Sequence, residues 1–337
     1  MFRLNICLAA LIVIPAFAQR TANRLGPGMT APKIVTAPHP DQTPAARDNH
    51  IQGTVLMSAI IDETGVLVEI ELVSPLGFGL DERALEALRK WRFTPAKTQE
   101  GVPVAIYADV EVNFRQEGTF SDDKKERSRT AFNRAMNRIA RASSQTPQAM
   151  VDLEALSKEK YLPAMAVFGF MTYTGNNVPK DEPKGLALLK LAAEKGDPLA
   201  LSELGSLHIK GEGVTADKAK GLAMLAKASL LGNSVAQYEI GDRAATGRDM
   251  DLDLAKAKRQ FRLCAAKGKA PCQYRLAKLL LDGKPPEREK IQAIAWLELA
   301  EHEISQAGSL AKAASESLNA EQISWIARIK PQLLRRD

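Results

Sequence analysis

Over its second half the sequence repeats itself every 36 residues, and this period restricts the fold more than any other feature. Ala164, Ala200, Ala236 and Cys272 stand 36 positions apart, as do Phe168, Leu204, Ile240 and Leu276, and Gly175, Gly211, Gly247 and Gly283. Gly169, Gly205 and Gly241 keep the same step until Ala277 replaces glycine, and Gly196, Gly232 and Gly268 recur at another phase. A period of this size means stacked helical hairpins, none of which buries a core by itself. Small residues at fixed phases let paired helices approach closely, and glycines end them in the left-handed conformation. Four copies are expected over residues 161–305, the fourth the least regular. Asn319-Ala320-Glu321-Gln322 opens a last helix that caps the stack within residues 306–337 and ends near Pro331.

The other end of the chain reads as an export signal. Arg3, an apolar run from Leu4 to Phe17, and Ala16-Phe17-Ala18 ahead of polar Gln19 and Arg20 supply its charged, apolar and small-residue parts, so residues 1–18 are expected to be removed between Ala18 and Gln19. The run is shorter than the roughly 20 apolar residues that span a bilayer. A retained inner-membrane anchor is therefore the alternative. Pro27, Pro32, Pro38 and Pro40 mark residues 19–43 as an extended tether.

Between tether and repeats lies a segment of strict alternation, residues 44–118. Ile51, Val55, Met57, Ala59 and Ile61 share one face, with Gln52, Thr54, Ser58 and Asp62 opposite; Asp62-Glu63-Thr64-Gly65 supplies turn chemistry, and Val66, Val68, Ile70 and Leu72 resume the pattern. This is a hairpin with one buried face. Leu80, Ala84, Leu85, Leu88 and Trp91 follow at helical spacing behind Asp81 and Glu82, acids suited to a helix start. A third strand then carries Val104, Ile106, Ala108, Val110, Val112 and Phe114 on one face and Tyr107, Asp109, Glu111, Asn113 and Arg115 on the other. The unit is β-β-α-β, with polar solvent-facing sides and at least one strand edge unpaired.

Several of these residues resemble the TonB C-terminal domain family: Pro44-Ala45, His50-Ile51-Gln52-Gly53, Asp62 and Gly65 at the turn, and Arg89-Lys90-Trp91-Arg92-Phe93-Thr94-Pro95 after the helix. Thr43 stands where that family usually has tyrosine. The resemblance implies that an extended peptide from an outer-membrane receptor adds a strand to this sheet, near Tyr107, Asp109, Glu111 and Asn113. A sheet edge merely guarded by charges is the other reading.

Residues 119–160 read as a charged helical linker, with Phe132, Met136 and Ile139 as a narrow apolar stripe and Thr146-Pro147 as a cap and first-turn proline. Beyond it, Leu191-Ala192-Ala193-Glu194-Lys195-Gly196 and the run from Lys210-Gly211-Glu212-Gly213 through Asp217 to Ala219 resemble Sel-one-like repeats, relatives of tetratricopeptide repeats. The chain as a whole is thus expected to be α+β, a small β-β-α-β domain followed by an all-α solenoid. If first helices line a concave side, Ala166, Ser202, Tyr238 and Tyr274, then Phe170, Ser206, Asp242 and Lys278, face a groove with Tyr173. Exposed aromatics there would anchor a partner, unless they pack on the flanking helices.

Cys7 leaves with the leader, and Cys264 and Cys272 remain eight positions apart. An isolated pair in an oxidising compartment is a candidate disulfide, two free buried thiols being the alternative. The family resemblance extends to this pair the bridge found at the same spacing in exported relatives.

No catalytic constellation stands out. His39, His50, His208 and His302 are scattered, and there is no G-x-S-x-G, H-E-x-x-H, P-loop or Rossmann glycine pattern. No metal or other cofactor is expected, because nothing completes a four-ligand set around the cysteines. His208 falls where such repeats carry a packing tyrosine and reads as a packing residue. Net charge drops from +6 to +5 with the loss of Arg3 and is patchy, 11 acids against 6 bases over residues 51–118 and 7 bases against 3 acids over residues 119–150. Such a patchwork argues against a nucleic-acid partner. The expected function is that of a periplasmic adaptor: the small domain holds an extended segment of one envelope protein, and the repeats dock a second. The alternative is an energy transducer anchored in the inner membrane and driving transport through an outer-membrane receptor. That role needs a retained anchor and a longer proline-rich spacer. No small-molecule substrate is expected in either case.

Overall fold

The computed structural model describes Ala22, Leu25 and residues 28–48, 51–114, 123–140 and 146–334; the expected cleavage site at Ala18 and Gln19 lies outside them. The small domain comprises β1 (Lys33–Thr36), α1 (Pro44–Asp48), β2 (Gly53–Ile61), β3 (Leu67–Ser74), α2 (Leu80–Leu88), β4 (Arg92–Thr94), β5 (Ala96–Lys97), β6 (Pro103–Val104) and β7 (Ile106–Phe114). Its main sheet has the order β3-β2-β7, all antiparallel, and β2 pairs with β7 without a break from Gly53 opposite Phe114 to Ile61 opposite Ile106. Val55, Met57, Ala59, Ile61, Val110, Val112 and Phe114 bury one face together with Leu80, Ala84, Leu88 and Trp91. At the hairpin turn the Asp62 carboxylate accepts from the Thr64 amide (2.9 Å) and hydroxyl (2.6 Å) and from the Val66 amide (3.0 Å). Gly65 cannot be replaced there: its φ is +83°, and a Cβ would lie 1.8 Å from the Phe93 carbonyl oxygen. Asp81, buried at the start of α2, accepts from the Leu76 and Gly77 amides at 2.8 and 3.0 Å.

Two features of this domain differ from the sequence reading. Part of the stretch read as a free tether is docked: β1 pairs with β4, and the Trp91 indole donates to the Pro38 carbonyl at 3.1 Å. Proline runs exclude a core but leave a strand free to add to an edge. The outer face of the sheet, moreover, is not solvent-facing. Ser58 and Asp62 are buried, and Leu56 and Val73 pack among Ile291, Trp325, Ile329 and Leu333 of the helical region. Alternation defines which residues share a face; it cannot say that a distant element covers the polar one.

The helical region runs through α3 (Asp123–Ala140), α4 (Thr146–Lys158), α5 (Leu162–Thr174), α6 (Glu182–Glu194), α7 (Pro198–Lys210), α8 (Lys218–Leu230), α9 (Ser234–Thr246), α10 (Leu254–Ala265), α11 (Ala270–Leu281), α12 (Glu287–Ala300), α13 (Ser305–Ser315) and α14 (Ala320–Leu333). Successive helices pair as hairpins, held together by glycines. A Cβ on Gly205 would lie 2.9 Å from the Gly221 carbonyl oxygen, and one on Gly221 would lie 2.6 Å from that of Gly205. Gly169 and Gly185 make the same crossing one repeat earlier. Second helices begin alike: Asp181, Asp217 and Asp253 each accept from the amide three residues on. The charged segment read as a linker is itself in register, since α4 spans residues 36 positions before those of α6, and Phe132 precedes Phe168 by the same step. Its arginines hid a hairpin whose Ala135, Met150 and Leu153 pack on Phe168 and Met171. Cys264 and Cys272 are bridged within the core of the last repeats, with Cα atoms 5.8 Å apart.

Asp197 caps α7 by accepting from the Ala200 amide at 2.9 Å, yet it is buried. Burial pushes its carboxyl up to about 6, against the backbone hydrogen bonds it accepts. Because the folded-state value is raised, ionisation of Asp197 weakens the fold as pH rises through 6. Asp197→Asn keeps the acceptor and should lose on the order of 1–2 kcal/mol less stability than the parent between pH 5 and pH 7 in denaturant melts. Reduction of the disulfide should cost about 2–3 kcal/mol in the same measurement. Cys264→Ala/Cys272→Ala protein should show no further loss with reductant.

Candidate protein-binding site

The edge of the sheet at β7 has no strand partner among the described residues, β2 lying on its other side. Tyr107, Asp109, Glu111 and Asn113 are all exposed on it. Asn113 accepts from the Thr54 hydroxyl at 2.5 Å. Asp109 and Tyr107 are drawn toward the helical region: Arg288 of α12 pairs with Asp109 at 3.0 Å, and its guanidinium lies 6.0 Å from the centre of the Tyr107 ring. The opposite edge, at β3, lies against α10 and α14.

The junction that orients β7 is extensive. Phe78 lies against Gly232, Gly77 faces Leu263, and Arg259 of α10 pairs with Glu82 of α2. Arg262 sits between the two parts; burial pulls its guanidinium below the usual value, while Glu71 of β3 and Glu289 of α12 oppose that shift. None of these pairings has a local sequence signal: Arg288 and Asp109 are separated by 179 positions.

The expected groove residues fall into two groups. Phe170 and Tyr173 are half-buried in the core around α5 to α8, the Tyr173 hydroxyl lying next to Gly213. Tyr238 packs its ring 5.8 Å from that of Phe261, and Tyr274 is half-buried below Lys278, whose ammonium lies 5.7 Å from the ring centre. Asp242 pairs with Arg248 at 2.9 Å and also with Arg275, joining α9 to α11. Ala166 and Ser202 are fully buried between helices and face no groove. Sequence reasoning missed Glu203, a half-buried acid on α7 whose carboxyl is raised by burial and by neighbouring Glu239, with Lys210 opposing. His208 is buried with its Nδ1 3.1 Å from the Thr215 carbonyl oxygen. Among the described residues no group of three or more His, Cys, Asp or Glu is placed to hold a metal ion, and no helix is long and apolar enough to cross a membrane.

Comparison with known proteins assigns both parts. Residues 38–116 match the family described as Gram-negative bacterial TonB protein C-terminal, and residues 163–197, 198–233 and 270–301 match the Sel1 repeat. The TonB protein of Vibrio cholerae is 36% identical over 89 residues, a match covering 26% of this chain and 36% of that relative's length. Among solved structures, a Sel1 repeat protein from Oxalobacter formigenes is 22% identical with a TM-score of 0.47, covering 63% of this chain and 91% of that one. A protective antigen of uropathogenic Escherichia coli with an SLR fold is 20% identical with a TM-score of 0.41, covering 64% and 52%. The chain therefore joins a TonB C-terminal domain, built around an open β7 edge, to a stack of Sel1 repeats.

Proposed function

We propose that this chain is an exported adaptor of the cell envelope, holding an extended segment of one envelope protein along β7 and docking a second protein on the repeats around Tyr238, Asp242, Tyr274 and Lys278. The observation that carries this reading is the unpaired β7 edge in a domain of TonB type. An edge strand offers a row of main-chain donors and acceptors, which a peptide satisfies by adding a strand. An outer-membrane receptor is one source of such a segment. The repeats supply a second rigid surface of a kind suited to protein partners. The TonB-type domain also favours an envelope location, with the leader removed and the protein in the periplasm.

Two measurements test this. Expressed with its own leader in a double-membraned bacterium, the protein should begin at Gln19 and fractionate with soluble periplasm. An intact Met1 in the inner membrane would favour the energy transducer instead. Photo-crosslinking residues placed at Glu111 and at Lys278 should each capture a partner, and the two partners should differ. Capture at neither position would remove the adaptor reading.

A further inference from the structure

The open edge of β7 does not face bulk solvent on both sides. A cleft of 790 Å³ runs between Tyr107-Ala108-Asp109 and two elements of the helical region, the start of α12 at Pro286 and the face of α14 carrying Trp325 and Arg328; Ala22 also lines it. Its volume lies within the range of about 300–1,000 Å³ usual for ligand-holding clefts. A strand added to β7 would lie about 4.8 Å from it and project every second side chain toward the outer face of the sheet. That is the face toward which Tyr107 and Asp109 project to meet α12. Side chains of the added strand on the same face would thus meet α12 and α14.

From these positions we infer that the binding site is composite: β7 supplies the main-chain ladder, and the Sel1 stack supplies a wall that selects segments with an acidic side chain on the outer face. The inference rests on the β7-edge reading above. Charge decides the preference. Asp109 is neutralised by Arg288, and Glu287 and Glu321, which also line the cleft, each interact with other groups of the chain. Arg328 is exposed and has no ion-pair partner among the described residues. Its planar fork suits a carboxylate, and half-buried Trp325 beside it offers an aromatic anchor. The occupant is therefore an extended segment of a partner protein with an acidic residue flanked by alternating apolar ones.

The test selects displayed random octapeptides on the full mature protein, then measures the best synthetic peptides with Asp or Lys at the enriched position. The expected result is enrichment of Asp or Glu at one position, loss of binding when alternate peptide amides are N-methylated, and about tenfold weaker binding of the acidic peptide to Arg328→Glu protein, which should instead favour the Lys peptide. Melting of the Arg328→Glu protein controls for folding. Loss of binding on N-methylation with an unchanged acid preference in Arg328→Glu protein would overturn the composite wall and leave the β7 edge intact. Insensitivity to N-methylation, or no selected peptide at all, would overturn the edge reading and this inference with it. Self-association of the chain that blocks selection and is lost when β7 is disrupted would identify a second copy as the occupant and overturn the peptide assignment.

Discussion

The closest constraint in the molecule is the contact between Gly205 and Gly221, where two helix backbones leave no room for a Cβ on either side. Every larger side chain at these positions would push the helices of a hairpin apart, and the error would propagate through each neighbour stacked on it. Gly169 with Gly185 repeats the contact, and at the third repeat Gly241 meets the Phe261 ring while Ala257 stands where Gly221 stood. The shift from glycine-on-glycine to glycine-on-aromatic coincides with the repeats that gain the disulfide and the largest core. In that part of the stack Phe261, Cys264, Cys272, Leu276, Ile291 and Trp296 share one cluster. Tight crossings thus build the first hairpins, while bulk and a covalent bridge build the last.

That change matters because the last hairpins carry the small domain. Val73 of β3 belongs to the same buried cluster as Phe261 and Trp296, so the sheet and the end of the stack share one hydrophobic core. Burial of Ser58, Asp62 and Arg262 at or near this junction costs desolvation that apolar contact and the acids flanking Arg262 offset. A shared core of this kind fixes the direction of β7 relative to α12 and α14. It also makes the ion pair between Arg288 and Asp109 a consequence of docking rather than its cause, since an exposed pair contributes on the order of 0–1 kcal/mol.

Much of this was legible in the residues because it is local and periodic. The 36-residue step, the hairpin with Gly65, and α2 behind Asp81 follow from spacings that physical chemistry ties to helix and strand. The in-register hairpin of α3 and α4 was hidden because its phases lack the glycines and carry Arg127, Arg134 and Arg138, so surface charge masked a repeat whose core positions are few. The pairing of β1 with β4 was hidden because an edge strand needs only a free ladder, which leaves no composition signal. Tyr238 and Asp242 share the groove phase but meet Phe261 and Arg275, contacts that depend on the neighbours' identities rather than on their own.

Which edge of the sheet is open follows from the same packing. The β3 edge lies against α10 and α14 and has a shifted register against β2, with Glu69 at a φ of +49°. A strand added there would meet helices and an irregular ladder. Along β7 the pairing with β2 is regular over its whole length, so the opposite, outward set of main-chain groups is regularly spaced as well. The sheet is docked to the stack through its irregular edge and outer face, and its regular edge is left as the one on which an incoming backbone can form consecutive hydrogen bonds. Docking and peptide capture therefore use different edges of one three-stranded sheet, and a segment can be bound without first releasing the small domain from the repeats.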